Sequence, residues 1–202
     1  MSNVETQVQG RHFLHKELWR VVDRQIAHSE RFEQGSLYDD MIAMVFAFHA
    51  LEAYLNYVGE LLAPGIWKTE REFFSKQPYR GFDGRFRKVL ELCEIAEPSR
   101  EARPHSTVWL LKSFRDLIAH GKPEHISHIV THAAGEYVPR MQTILQTLVT
   151  KENTYRARDD ILSVANEIHG AAKPKIKDNW FGAAGPFEGA LGYATGSSRV
   201  AT

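Results

Sequence analysis

Cysteine is almost missing from this chain, with Cys93 the single one among 202 residues. That excludes an intramolecular disulfide and a multi-cysteine zinc site, and it leads us to expect a reducing, cytoplasmic setting. Net charge is missing too, since 25 basic side chains face 25 acidic ones. There is no global polybasic signal for nucleic acid or anionic lipid, so any such surface must be local. Ten histidines make the balance near neutrality sensitive to pH. Residues 1–20 lack the apolar stretch of a secretory signal. The most apolar run, 41–63, has the length of a bilayer span. It carries His49, Glu52, Asn56 and Glu60, which are costly at membrane depth, so a buried helix without a membrane partner is expected. No phosphate-binding loop, dinucleotide fingerprint, H-E-x-x-H or G-x-S-x-G occurs, and no cofactor is expected.

What the chain does have is apolar residues at helical spacing. Phe13, Leu14, Leu18, Val21, Val22 and Ile26 mark a helix over about 11–33. The segment 37–62 is apolar on nearly all sides and reads as the central helix. Further helices are expected over 66–75, 85–96, 106–121, 138–150 and 155–168, with 77–84 as a turn-rich loop. No alternating strand pattern stands out. The expected architecture is all-α, an antiparallel helical bundle over 11–169, with a flexible N-terminus at 1–10. Residues 170–202 form a Gly/Ala-rich C-terminal tail, either mobile or docked through Trp180, Phe181, Phe187 and Tyr193.

One stretch gathers polar chemistry: Ser106 to Pro123, STVWLLKSFRDLIAHGKP. Ser106 or Thr107 suits the helix start, Gly121 suits a left-handed stop, and Pro123 forbids continuation. Near that stop stand Arg115, Asp116 and His120. Arginine offers a rigid, always charged fork for phosphate, and histidine exchanges a proton near neutrality. Cleaving RNA without a metal needs both abilities: proton transfer from the 2′-hydroxyl and to the leaving 5′-oxygen, and a cation for charge developing on phosphorus. Five positions at 100° each separate Arg115 from His120 by about 140° around the axis. Either one side chain bends, or two copies of the helix end combine across a two-fold axis.

Arg115-Asp116-Leu117-Ile118-Ala119-His120 resembles the R-x4–6-H motif of HEPN domains (higher eukaryotes and prokaryotes nucleotide-binding). The central segment FHALEAYLNYVGELL, Phe48 to Leu62, is similar to the Ala-Leu-Glu-Ala-rich early helix of those domains. The resemblance implies a helical bundle that forms a homodimer. It also implies a metal-independent endoribonuclease that leaves 2′,3′-cyclic phosphate and 5′-hydroxyl ends on an RNA substrate. Its setting would be toxin–antitoxin or defence systems, with an antitoxin or other protein partner. Arg115 and His120 would then be catalytic, and Asp116 would orient one of them. The alternative is a non-catalytic HEPN-like module that binds nucleotide, RNA or a protein.

Lys122 and His125 follow the motif and add positive charge beside a bound phosphate. Glu52 is a candidate buried partner for Arg115. His125, His128 and His132 are spaced for one helix face, yet no carboxylate completes a metal set, and none is expected. Tyr79 to Lys88 interleaves basic and aromatic residues, as single-stranded RNA platforms do, though an ordinary loop feeding a helix reads the same way. His12, His15 and Trp19 fall on one face of the first helix.

Overall fold

Helical spacing in the sequence becomes helix in the molecule. The computed structural model describes residues 4–32, 34–125, 134, 142–179, 181 and 184–200. Among them are helices α1 (Leu14–Arg31), α2 (Ser36–Leu62), α3 (Pro64–Lys68), α4 (Glu70–Phe73), α5 (Gly81–Cys93), α6 (His105–Ala119), α7 (Ile144–Leu148) and α8 (Lys151–Ala172). Strands β1 (Val4–His12) and β2 (Gly192–Val200) pair in one antiparallel sheet. The chain is mostly helical. Gly35, with φ 86°, makes the reversal before α2, a conformation that side chains with a Cβ resist.

The strands depart from what composition suggests. Residues 4–12 are paired where a frayed start is expected, and the Gly/Ala-rich tail ends in a strand. Their register runs from Val4 opposite Val200 to His12 opposite Gly192. Neither segment carries an apolar alternation. Each acquires its backbone partners from the other end of the chain, which no local pattern can reveal. His12 therefore lies at a strand end, exposed and 3.0 Å from Glu17, while His15 and Trp19 are buried.

Two compact units divide the chain. The first comprises Met1–Arg20, His49–Glu97 and Ala165–Thr202, and the second Val21–Phe48 and Pro98–Val164. The core of the first unit includes Leu51, Tyr54, Leu55 and Val58 of α2, Phe86 and Val89 of α5, and Ile168 of α8. Tail aromatics join it: Phe187 stacks on Trp19 at 4.3 Å, and Phe181 on His169 at 4.4 Å. The Tyr54 hydroxyl and His169 Nδ1 are hydrogen-bonded at 2.9 Å. Cys93 is buried in the same core, which pushes its thiol up to about 11 and leaves it protonated. The core of the second unit includes Met44, Ala47 and Phe48 of α2, Val108, Leu111 and Phe114 of α6, and Ile161 and Val164 of α8. Among the described residues α2 alone is long and apolar enough to cross a membrane by length and composition, and half of its most apolar window is buried within the protein.

His15 makes the first unit acid-sensitive. Burial, reinforced by the charges of Lys16 and His169, holds its imidazole down to about 3 from an ordinary 6.5. The unfolded chain thus binds a proton that the folded chain refuses, and stability is lost as pH falls below 6.5 toward 3. His169, lowered mainly by burial, acts in the same direction. Urea unfolding at pH 7.5, 5.5 and 4.5 should give a falling midpoint, and His15→Gln should flatten that slope. A midpoint independent of pH over this range would contradict the burial of a neutral imidazole.

Candidate functional site at the end of helix α6

Helix α6 takes its position from a buried carboxylate. Asp160 of α8 is 6% exposed and interrupts the apolar stripe of Ala157, Ile161 and Val164. A buried charge needs donors, and the start of α6 brings them. Arg103 binds it as a fork, Nε at 2.8 Å to Oδ2 and one terminal nitrogen at 2.9 Å to Oδ1. The fully buried Thr107 donates its hydroxyl to Oδ2 at 2.5 Å. Arg156 donates from Nε to that same hydroxyl oxygen at 2.8 Å and from its terminal nitrogen to Ser106 Oγ at 3.2 Å. Bonds from Arg103 and Thr107 hold the Asp160 carboxyl below the usual range despite its burial. Ser106 and Thr107 are thus tied to α8 rather than capping α6. Its cap position is Pro104, which makes no side-chain cap bond.

From that anchor the buried stripe Thr107, Val108, Leu111 and Phe114 fixes the rotation of α6. Arg115 lands at its edge, with 28% of its side chain exposed. The guanidinium lies 5.3 Å from the ring centroid of Phe48 and 3.1 Å from Asp116 Oδ1. Asp116 is shared, because Lys112 Nζ reaches its other oxygen at 3.3 Å. Asp116 is thus set between two cations, Lys112 and Arg115. The carbonyl end of a helix dipole suits cations as well.

His120 is the C-cap residue, with φ −124° and ψ 18°. Its N–H still donates to the Asp116 carbonyl at 3.0 Å, but the backbone has left the helical register. The side chain is exposed and makes no hydrogen bond or ion pair among the described residues. Arg115 and Asp116 are thus brought together, and His120 stands apart in solvent. Gly121 does not take the expected left-handed conformation, since the positive-φ glycines among the described residues are Gly35, Gly81 and Gly189. The non-helical φ/ψ of His120 itself ends the helix, so no left-handed residue is needed after it.

Lys122 and His125 follow as exposed residues. The neighbouring Glu124 accepts the N–H of Ile144 with both oxygens, at 3.1 and 3.0 Å, and so serves the start of α7. His128 and His132 lie outside the described residues. Among the described residues no group of three or more His, Cys, Asp or Glu is placed to hold a metal ion. Glu52 is half-buried and 3.1 Å from His49 Nδ1. The stretch Tyr79 to Lys88 is less available to RNA than its composition suggests. Lys88 and the Tyr79 hydroxyl both bind Glu91, Arg87 binds Glu97, and Arg85 lies 3.9 Å from Glu70.

The Asp160 network was readable in principle, as an aspartate standing on an apolar stripe of YRARDDILSVAN. Comparison with family models, curated proteins and solved structures finds no match to this chain.

Thr107→Val keeps the shape and removes a donor from a buried carboxylate. A hydrogen bond to a charged group is worth roughly 1.5–3 kcal/mol, so unfolding free energy should drop by about that amount in urea titrations at pH 7. Thr107→Ser should retain most of the stability. Equal losses in the two variants would mean that the hydroxyl is not the anchor.

Proposed function

We propose that the chain is a HEPN-like helical-bundle protein that acts as a metal-independent endoribonuclease and works as a homodimer. The observation that carries this proposal is the cationic end of α6: Arg115 held between Phe48 and Asp116, followed within two turns by an exposed His120. Arg115 engages the scissile phosphate and stabilises the charge gathering on phosphorus. Asp116 restricts the guanidinium to one orientation. His120, free in solvent at the carbonyl end of α6, gives its proton to the departing 5′-oxygen. The 2′-oxygen bonds to phosphorus as the bond to the 5′-oxygen breaks, which yields a 2′,3′-cyclic phosphate and a 5′-hydroxyl. The His120 that meets a given Arg115 comes from the second copy, and water takes the 2′-hydroxyl proton. Lys122 and His125 extend the positive surface along the RNA. A toxin–antitoxin or defence setting, with an antitoxin or other protein partner, follows from the resemblance.

One observation favours a second reading. Because His120 makes no contact with Arg115, a single chain holds no assembled acid–base pair. The same positive helix end would then bind nucleotide, RNA or a protein partner without cutting.

The test is cleavage of end-labelled single-stranded RNA in excess chelator, with product ends identified by phosphatase and kinase treatment. Wild type should produce cyclic phosphates. Arg115→Ala and His120→Ala, with unchanged circular dichroism, should each cut at least about a hundredfold more slowly. Equal rates in all three proteins would end the catalytic assignment, and wild type that binds RNA without cutting it would select the second reading.

A further inference from the structure

The first unit contains a cleft of about 620 Å³ beside the C-terminal half of α2. Small-molecule sites generally occupy about 300–1,000 Å³. Phe13, Leu14, Ala53, Tyr57, Pro64 and Trp67 supply its apolar surface. Its aromatic walls are built rather than incidental. Phe13 and Tyr57 meet edge to face at 5.4 Å. Trp67 donates from Nε1 to Asn56 Oδ1 at 3.3 Å, and its ring lies against Gly59. A Cβ at Gly59 would stand 1.9 Å from that ring, so only glycine lets the indole approach.

The rim of the cleft is asymmetric in charge. Glu60 faces Arg11 at 3.5 Å, and Arg11 also faces Asp178 at 3.5 Å. Glu70 faces Arg85 at 3.9 Å. Lys68, which lines the same cleft, is exposed and makes no ion pair among the described residues. Both lining carboxylates therefore have a cation, and one ammonium is left over.

The residues of the lining also carry polar groups. The Tyr57 hydroxyl and the Asn56 amide NH₂ donate to no group among the described residues. Burial pushes the phenol up to about 12, so it keeps its proton at neutral pH. His15 also lines the cleft. It is 2% exposed, and its buried Nε2 has no partner among the described residues.

We infer that this cleft binds a small aromatic molecule bearing one anionic group, a carboxylate or a phosphate monoester. The ring lies against Tyr57 and Trp67, and the anion meets Lys68. The site is independent of the α6 motif.

Isothermal titration of the full chain with 2-naphthoate and 2-naphthyl phosphate tests this, with 2-naphthylmethanol and 2-naphthylmethylammonium as neutral and cationic counterparts. At least one anion should bind at least about tenfold more tightly than both counterparts, and whichever anion wins names the headgroup. Lys68→Ala is an exposed substitution, and circular dichroism checks that the fold is kept. It should reduce anion affinity to that of the neutral compound, while Arg115→Ala should leave it unchanged. Absence of heat at millimolar concentration, equal affinity for the neutral and cationic compounds, or an unaltered Lys68→Ala titration would each overturn the inference.

Discussion

Within the second unit everything about α6 depends on one buried carboxylate. Asp160 cannot be taken from water uncompensated, and its donors come from Arg103 and Thr107 at the start of that helix. The bonds are short and directional, so they fix where α6 begins and how it is turned. Apolar burial of Val108, Leu111 and Phe114 then carries that orientation down the helix. Without the anchor, burial alone would tolerate small rotations. With it, Arg115 falls at the boundary between core and solvent.

That boundary gives Arg115 its character. A guanidinium is weakly hydrated and flat, so it rests on the Phe48 ring at the edge of the core. Asp116 lies 3.1 Å from it and divides its charge with Lys112. The arginine is therefore placed, with part of its side chain still in solvent. His120 is the reverse case. It is unplaced, because the backbone turns out of the helix at that residue and no side chain among the described residues holds the imidazole.

Local pattern was enough for the helical character. The heptad-like spacing of α1, the all-round apolarity of α2 and the stripe of α6 are local properties, and helices are local structures. Boundaries followed less well where a neighbour decides them. Gly81, with φ 67°, opens α5 inside a stretch that reads as a loop. The β1–β2 ladder was invisible, because its pairing joins residues such as Val4 and Val200. Similarly, Phe181 and Phe187 look like anchors in sequence, but only the fold supplies His169 and Trp19 beneath them. The motif itself was legible as residue types. Its geometry was legible only in part: the helical wheel separates Arg115 from His120, and the chain leaves open which second group completes the chemistry.

The central claim is that the α6 end is half of a site, completed by a second copy. The direct measurement is ribonuclease activity after Arg115→Ala and His120→Ala subunits are unfolded together and refolded as a mixture. If arginine and histidine act across a two-fold axis, a mixed dimer keeps one intact site, and random pairing should restore roughly a quarter of wild-type activity. A mixture as inactive as either variant alone would contradict the shared site.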